Sequence, residues 1–233
     1  MNSSELRGFL TGLILGDGMI DKGVHKRAFR IKSIHQDFIN NIAEEIESCS
    51  GFKSKVIYTP EHYSGWCNHQ ENWEYIILAH PYFTKIYNNF YDDYRHRIIT
   101  REALDWLTPY GLANWYMSDG YVCLVGRSKG TITDRRVDFC TDRYTYDDIK
   151  TIQDALLENY DIKTSLVKRG KFTRLRIKKE SYNIFFSLII PYLVPSMLYK
   201  AYLGYECQPA WMSDELWSIQ VDLKSANPLQ MCA

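Results

Sequence analysis

Two copies of a short apolar segment ending in Asp-Gly constrain this chain more than any other feature. Residues 10–18 read LTGLILGDG, and residues 112–120, 102 positions further on, read LANWYMSDG. Each copy is apolar on nearly every side, which predicts a buried helix, and each ends at a glycine able to adopt a left-handed C-cap. The second copy also has helix start signals, with Thr108 as N-cap and Pro109 at the first helical position. The repeat predicts two equivalent helices.

The aspartates at the ends of these helices are electrostatically misplaced. A helix C-terminus carries about half a negative charge and repels a carboxylate by roughly 0.3–1 kcal/mol. Gly12 and Gly16 lie one turn apart, so the first helix can pack closely on the second and bring Asp17 near Asp119. Like charges about 4 Å apart repel by about 4 kcal/mol at an effective dielectric of 20, so a divalent cation is the expected remedy. The alternative is a plain helix-ending turn.

Composition indicates an ordinary globular protein. Of its 233 residues, 45% are apolar and 24% charged, and the length allows one or two domains with a sizeable core. The first apolar run contains Asp17, and no run reaches the ~18 residues of a membrane span, so we expect an intracellular, non-secreted protein without a membrane partner. The six scattered cysteines suggest reduced thiols, with a zinc site at Cys67, His62 and His69 as the weak alternative.

Charge is segregated along the chain although the net charge is zero. The 28 basic and 28 acidic residues cancel, which speaks mildly against a nucleic-acid partner. Residues 163–179 nevertheless contain eight basic side chains and no acid, and residues 21–32 contain five basic side chains against Asp21. The acids collect in stretches that are typical of helices. Basic strands under acidic outer helices would still give a cationic surface.

The segments after each Asp-Gly follow the same order. Hydrophobic periodicity predicts a hairpin, an amphipathic helix, a second hairpin and a final helix in each half. The predicted hairpins cover 19–34 and 121–141, then 54–59 with 73–78 and 163–168 with 172–178; the amphipathic helices cover 37–47 (Phe38, Ile39, Ile42 and Ile46 inward) and 146–160 (Ile149, Ile152, Leu156 and Leu157 inward); the final helices cover 80–91 and 180–192. We therefore predict an α+β fold of two pseudo-symmetric αββαββα halves, 1–100 and 101–203, and a C-terminal extension, 204–233, packed on the second half.

The clearest strand, residues 173–178, places its cations on one face. Leu175 and Ile177 alternate with Arg174, Arg176 and Lys178, so the exposed row has a charge every ~6.6 Å, close to the phosphate spacing along one DNA strand. A two-stranded β-ribbon fits the DNA major groove. The alternative is a solvated sheet face balanced by acids. The predicted DNA-binding residues are Lys22, Lys26, Arg30, Lys32, Arg127, Lys129, Arg136, Asp138, Lys168, Arg169, Lys171, Arg174, Arg176 and Lys178.

The paired Asp-Gly segments resemble the LAGLIDADG homing endonucleases, in particular the monomeric two-motif members encoded in mobile introns. The resemblance covers roughly residues 5–203 and includes PYLVPSMLYK at residues 191–200, which is similar to the end of the family's second half. It implies that the two motif helices pair at a pseudo-twofold axis. It also implies two saddle-shaped antiparallel sheets astride the DNA major groove.

The same resemblance implies the site residues. Asp17 and Asp119 fall on the family's metal-binding positions, and the carbonyl groups of Gly16 and Ser118 would share the coordination of two or three Mg²⁺ ions, with Mn²⁺ as a substitute. Lys200 matches the basic residue that lines the active site in the second half. For the first half, where the family's Lys and Pro are absent, we choose Arg97, with His96 second. Each cation could instead be a plain phosphate contact.

These observations predict a monomeric, Mg²⁺-dependent endonuclease that cuts double-stranded DNA at a long asymmetric site. The resemblance implies 3′ overhangs and a break that promotes copying of the encoding intron. The initial Met and the absence of splice-junction residues favour a free-standing enzyme over an intein domain. One alternative is a maturase that binds its host intron RNA, and another is a DNA-binding protein without nuclease activity.

Overall fold

The computed structural model describes residues 1–21, 27–49, 51–64, 67–94, 96–127, 131–205 and 207–225. Three predicted DNA-binding residues, Lys22, Lys26 and Lys129, lie outside the described residues. The side chain of Arg127 does too, as do those of Cys67 and His69 from the weak zinc alternative. Within the described residues, no helix is long and apolar enough to cross a membrane.

The first half is a four-stranded antiparallel sheet covered by helices. Its strand order is β1-β2-β6-β3, and a separate two-stranded ribbon, β4-β5, occupies the polar stretch between β3 and β6. The elements are α1 (Ser3–Leu15), β1 (Met19–Ile20), β2 (Arg27–Ser33), α2 (Gln36–Cys49), β3 (Ser54–Thr59), β4 (His62–Ser64), β5 (Cys67–His69), β6 (Asn72–His80) and α3 (Tyr82–Tyr87).

The second half repeats this topology. Its sheet order is β7-β8-β10-β9, so the last strand of each half again lies between the second and third. The elements are α4 (Arg101–Asp105), α5 (Pro109–Asp119), β7 (Gly120–Arg127), β8 (Thr131–Phe139), α6 (Tyr146–Tyr160), β9 (Thr164–Arg169), β10 (Phe172–Ile177), α7 (Tyr182–Ile189) and α8 (Asp214–Ser225), with 3₁₀ segments at Lys179–Ser181, Ile190–Tyr192 and Pro195–Ala201. The short helix α4 begins the second half and packs against its helix α6. The predicted duplicated α+β fold is confirmed.

The two motif helices, α1 and α5, pack against each other at the centre of the molecule. A Cβ atom added at Gly12 would overlap the backbone of Gly111, and one added at Gly16 would overlap the side chain of Ser118. The expectation of left-handed C-caps at Gly18 and Gly120 is wrong. Neither glycine has a positive φ, and α1 ends earlier, at a C-cap on Gly16 with φ −88°. The helices therefore need their glycines for close approach rather than for a special backbone conformation.

The amphipathic helices cover one large core with small departures from the predicted pattern. In α6 the residues Ile149, Ile152 and Leu156 are buried, whereas Leu157 is 45% exposed and Ala155 takes its place in the core. The helix predicted over 80–91 is limited to α3, six residues long. The helix predicted over 180–192 is α7 flanked by 3₁₀ turns, the second of which contains Pro191, a residue without the N–H that would continue an α-helix.

Helix α8 of the C-terminal extension packs against α7 and the 3₁₀ segment Pro195–Ala201. Its buried Gln220 accepts a hydrogen bond from the Leu203 N–H at 2.6 Å and donates one to the Ala201 carbonyl at 2.9 Å. Trp217 lies in α8, whereas Trp211 precedes it and contacts Tyr182 edge-on. The extension therefore fixes the chain that immediately follows Lys200.

Candidate active site

The two motif aspartates lie at the touching C-terminal ends of α1 and α5 in different environments. Asp17 is exposed, whereas Asp119 is partly buried, and its Oδ2 atom is buried without a hydrogen-bond partner. Burial raises the pKa of Asp119 to about 6; the nearby charge of Arg143 opposes that rise and the charge of Asp17 adds to it. An unpartnered carboxylate oxygen beside a second carboxylate is the kind of site that attracts a cation.

Arg143 approaches this pair from the loop between β8 and α6. Its guanidinium donates to the Gly16 carbonyl at 2.8 Å and lies 3.4 Å from Oδ1 of Asp17. The adjacent Tyr144 donates its hydroxyl to the Leu15 carbonyl at 2.8 Å. Sequence reasoning missed both residues, and the available signal was a basic residue two positions before Thr145, the N-cap of α6. The second half therefore contacts the end of the first half's motif helix.

Lys200 lies at the end of α5 on the 3₁₀ segment Pro195–Ala201. Its ammonium group donates to the Met117 carbonyl and lies 3.5 Å from the Ser118 carbonyl, while Tyr116 donates its hydroxyl to the Lys200 carbonyl at 2.7 Å. Burial lowers the pKa of Lys200 to about 8 although both motif aspartates favour its charged form. At mildly alkaline pH, both protonation states of this amine are populated.

Arg97 makes the equivalent contacts at the end of α1. The partly buried guanidinium donates to the carbonyls of Ile14 and Gly18, and at 3.3 Å to the Gly16 carbonyl and to the Tyr144 hydroxyl. These bonds satisfy carbonyl groups that a helix end leaves without partners. The structure therefore places Arg97 beside the motif, as Lys200 is placed in the other half, and its catalytic role stays a prediction. His96 instead bonds the side chain of Asp92 at 3.1 Å.

An open cavity of about 380 Å³ adjoins this site. Asp17 and His35 line it from the first half, and Ser118 and Lys200 line it from the second. Burial lowers the pKa of His35 below its usual value, so the imidazole is neutral at pH 7. The cavity therefore joins charged groups of both halves in one solvent-accessible space.

The donor set suits a hard divalent cation that takes its remaining ligands from water or phosphate. No group of three or more His, Cys, Asp or Glu side chains that could hold a metal occurs in the described part of the chain. Two carboxylates with adjacent carbonyls match Mg²⁺, which usually keeps several waters and binds one or two carboxylates plus phosphate oxygens. The unpartnered Oδ2 of Asp119 fits such an ion. The Gly16 carbonyl accepts a hydrogen bond from Arg143, and the Ser118 carbonyl lies beside the ammonium group of Lys200.

Three arginines on the outer face of the second sheet are paired with acids. Arg176 donates to both oxygens of Asp138, at 2.6 and 2.9 Å. Asp138 is fully buried, so its predicted contact with DNA is corrected, because a buried carboxylate held by Arg176 cannot reach a base. Arg174 pairs with Asp142 at 3.1 Å and Arg136 with Asp134 at 2.5 Å. The sheet face is therefore a row of oriented arginines rather than an acid-free surface.

Arg30 and Lys32 of the first sheet also lie close to acids. Arg30 bonds Asp21 at 2.6 Å and lies 3.6 Å from Glu74, while Lys32 lies 3.5 Å from Glu74. Lys32 is the more exposed of the two basic side chains, at 62%. Both lie near the active site, because Lys32 lines the cavity beside Asp17, and Arg30 and Lys32 line a neighbouring pocket that also reaches Asp17.

Strand register separates the cations around the β9-β10 hairpin. Arg169 pairs with Phe172 and therefore shares a face with Arg174 and Arg176. Lys168 pairs with Thr173 and points to the opposite face, which carries Leu175 and Ile177, so the register does not favour its predicted role. Lys171 lies in the turn with Gly170, whose φ is +61°, and Lys178 is exposed just after β10.

The fold and the paired aspartates define a two-motif protein with one carboxylate per half. The sequence model of the LAGLIDADG DNA endonuclease family matches residues 7–185. The chain therefore belongs to the LAGLIDADG DNA endonuclease family.

Particular proteins that resemble this chain include endonucleases and a maturase. The DNA endonuclease I-ChuI of Chlamydomonas applanata is 24% identical over 212 residues, which are 85% of this chain and 94% of that protein. The cytochrome b mRNA maturase bI2 of Saccharomyces cerevisiae is 31% identical over 107 residues, 45% of this chain but 23% of the maturase. The chain thus spans about a quarter of that maturase. The homing endonuclease I-WcaI, solved bound to its DNA recognition sequence, has a TM-score of 0.72 at 20% identity over 87% of this chain and 88% of that one, which shows a shared fold.

Proposed function

We propose that this chain is a metal-dependent, site-specific homing endonuclease that cuts one phosphodiester in each strand of a long asymmetric DNA duplex. The observation that carries the proposal is the paired carboxylate site, in which Asp17 and Asp119 end two packed helices and Asp119 keeps a buried, unpartnered oxygen. Membership of the LAGLIDADG DNA endonuclease family supports the proposal. Similarity over most of the length of a named DNA endonuclease supports it further.

The two outer sheet faces supply the proposed DNA surface. Arg174 and Arg176 are held in fixed orientations by Asp142 and Asp138, so little side-chain freedom is lost when they bind phosphate or guanine. Antiparallel ribbons of this kind fit the major groove, where base edges are distinguishable. Because the two faces differ in sequence, the site is expected to be asymmetric. We expect 3′ overhangs and a break that promotes copying of the encoding intron.

Mg²⁺ is the proposed cofactor, with two or three ions bound and with Mn²⁺ able to substitute. Asp17 and Asp119 would hold the ions, with the carbonyl oxygens of Gly16 and Ser118 as further ligands. Bound there, a divalent ion supplies Lewis-acid activation of water and stabilisation of a leaving oxygen. The raised pKa of Asp119 suits this role, because an adjacent cation offsets the cost of its buried charge.

The basic residues of the two halves differ in what they can do. Lys200, whose pKa is lowered to about 8, can donate a proton to a phosphate oxygen or exchange one with water at mildly alkaline pH. Arg97 stays charged at every accessible pH, so it can act only by electrostatic stabilisation and by holding the end of α1. We therefore expect the two strands to be cut at different rates.

The decisive test of the proposed function uses DNA that joins the two flanks of the encoding intron, which is the intron-free host site. Purified protein is incubated with a plasmid carrying this junction, with Mg²⁺ or with a chelator. We expect linear product with Mg²⁺ and none with the chelator. Intact plasmid under both conditions would contradict the proposed function. Light scattering on the same sample should give the mass of one chain, because one chain contains both carboxylates.

A maturase is the second candidate function. It is supported by similarity to cytochrome b mRNA maturases bI2 from Saccharomyces cerevisiae and Debaryomyces hansenii, at 31% and 28% identity over about half of this chain. A maturase would bind its host intron RNA and accelerate splicing. Binding and faster splicing of that RNA, with no cleavage of the joined DNA, would favour the maturase over the nuclease.

A further inference from the structure

The two segments that carry the basic residues are each held by the opposite half of the chain. Ser196 of the second half donates twice to Asp37 of the first half, from its N–H to Oδ2 at 2.9 Å and from its hydroxyl to Oδ1 at 2.6 Å. In the reverse direction, the N–H of Ile99 in the first half donates to Oδ1 of Asp148 in the second half at 3.0 Å. The contacts between the halves are therefore reciprocal.

Asp37 is the second residue of α2 and Asp148 is the third residue of α6, so both lie at the start of the corresponding helix. Each lies in the first turn of the helix that follows the second strand of its sheet, α2 in one half and α6 in the other. Asp148 is also fixed locally, because its Oδ2 accepts hydrogen bonds from the N–H and the hydroxyl of Thr145 at 3.0 and 2.6 Å. Both carboxylates are partly buried. They are therefore rigid acceptors rather than mobile surface charges.

Both contacts lie close in sequence to a basic residue of the active site. Ser196 is in the same 3₁₀ segment as Lys200, and four residues of this helix type cover only about 8 Å. Gln220 holds the other end of that segment at Ala201. Ile99 lies two residues after Arg97, and both residues are pinned against the second half. A shift at either anchor is therefore transmitted to the cation.

We propose that Asp37 and Asp148 are positioning residues, each of which sets the basic residue of the opposite half. Asp37 orients the segment that presents Lys200, and Asp148 orients the segment that presents Arg97. This inference rests on the proposed nuclease function. It implies that each strand is cut by a site assembled from both halves. Each anchor then affects the cleavage of one strand, whereas a residue needed only for stability would affect both strands equally.

Strand-resolved cleavage tests the inference. The plasmid carrying the joined flanks is labelled on either strand, and single-turnover rates are measured for wild type, Asp37→Ala and Asp148→Ala. We expect Asp37→Ala to slow one strand by about 10-fold to 100-fold, because a misplacement of about 1 Å has an effect of this size, and nicked circles should accumulate. Asp148→Ala should slow the other strand.

Matched variants show whether a slower rate comes from lost positioning, from the lost charge or from misfolding. Asp37→Asn and Asp148→Asn keep one acceptor oxygen but place an N–H where the second oxygen accepted, so each should slow its strand less than the alanine variant does, by about threefold to 10-fold. Asp147→Ala removes the same charge from the same turn of α6, and exposed Glu44 provides the equivalent control in α2; both should cut normally. Ser196→Ala loses only the hydroxyl contact and should slow the same strand as Asp37→Ala by a smaller factor, which keeps the test valid should Asp37→Ala fail to fold.

The outcomes separate the two proposals. If wild type does not cut with Mg²⁺, the nuclease function fails and the inference fails with it. If wild type cuts and the alanine variants change both strands equally, or change neither, positioning across the halves is overturned while the nuclease function stands. Slowing of the same strand by both variants would also overturn it. Opposite strand preferences for the two alanine variants, weaker in the asparagine variants, would support it.

Discussion

At the scale of single residues, the two motif aspartates share a sequence context but not an environment. Asp17 is exposed and lies near Arg143, whereas Asp119 has one oxygen buried without a partner. The charged form of Asp119 is therefore the less favourable of the two in the absence of a metal ion. The folded protein should therefore gain stability when the charge of Asp119 is removed or when a cation binds beside it.

Replacement of Asp119 by Asn should stabilise the metal-free protein at neutral pH. The pKa of Asp119 is about 6 in the folded state against 3.8 for the ordinary group, so the folded state holds the proton more tightly and wild type loses stability as pH rises from about 4 to about 6. With chelator at pH 7.5, we expect the free energy of unfolding of Asp119→Asn to exceed that of wild type by about 1–3 kcal/mol. This gain is smaller than the gain for a fully buried carboxylate, because Asp119 is only partly buried.

Urea unfolding at several pH values measures this difference. It should disappear below about pH 4, where Asp119 is protonated in both states. The exposed Asp17 provides the control, and Asp17→Asn should change the free energy of unfolding by about 0.5 kcal/mol or less. A gain for Asp119→Asn that is independent of pH would contradict the electrostatic explanation.

The positions of Asp17, Asp119 and Lys200 were predictable because their motifs lie on short, regular segments. Arg143 was not predictable, since it reaches Asp17 from 126 residues away through the packing of a loop. Asp138 was misassigned for a related reason. Alternation places it on the outer face of β8, but alternation does not show that Arg176 of another strand covers it.

At the scale of helices and strands, the close contact between α1 and α5 organises the molecule. Gly12 meets Gly111 backbone to backbone, and this approach brings the two helix ends together. No side chain larger than hydrogen fits at Gly12 unless the helices separate. The geometry of the aspartate pair therefore depends on residues that have no chemistry of their own.

Gly12→Ala should destabilise the protein although alanine favours helices. The added Cβ would overlap the carbonyl group of Gly111, and overpacking of this kind costs about 1–3 kcal/mol or more. Chemical denaturation of Gly12→Ala is compared with Gly51→Ala, where a Cβ meets no atom within 4 Å. Equal stability of Gly12→Ala and Gly51→Ala would show that the helices do not approach as described.

Helix bounds were predicted well where caps and periodicity agree. The prediction for 146–160 matches α6, which has a capping box at Thr145, and the start at Thr108 and Pro109 matches α5. The prediction for 80–91 was too long, because an aromatic-rich run reads as helical whether or not the backbone continues beyond Tyr87. Local signals therefore located helix starts better than helix ends.

At the scale of the whole molecule, the charges sum to zero, but acidic and basic side chains are paired in specific places on the surface. Asp138 on the sheet and Asp142 in the loop after β8 hold Arg176 and Arg174 in place. The duplicated topology was predictable from the repeated motif. The pairing of acids with arginines was not, because it joins strands and loops that are distant in sequence.

Neighbouring cations on β9 test which sheet face meets DNA. Arg169 shares the face of Arg174, whereas Lys168 points to the other face. Arg169→Ala should weaken DNA binding and reduce the slope of log affinity against log salt by about 1, as expected for one lost phosphate contact. Lys168→Ala, which removes the same charge one residue away, should leave the slope unchanged. Equal effects of the two variants would mean that the register does not define the DNA surface.

The most direct measurement of the central claim is cleavage by the two aspartate variants under conditions where both still bind DNA. Asp17→Asn and Asp119→Asn remove one negative charge each from the proposed metal site. With Mg²⁺ and the joined-flank DNA, we expect wild type to cut both strands and each variant to bind the DNA but lose cleavage. Normal cutting of both strands by either variant would contradict the assignment of that aspartate as a metal ligand.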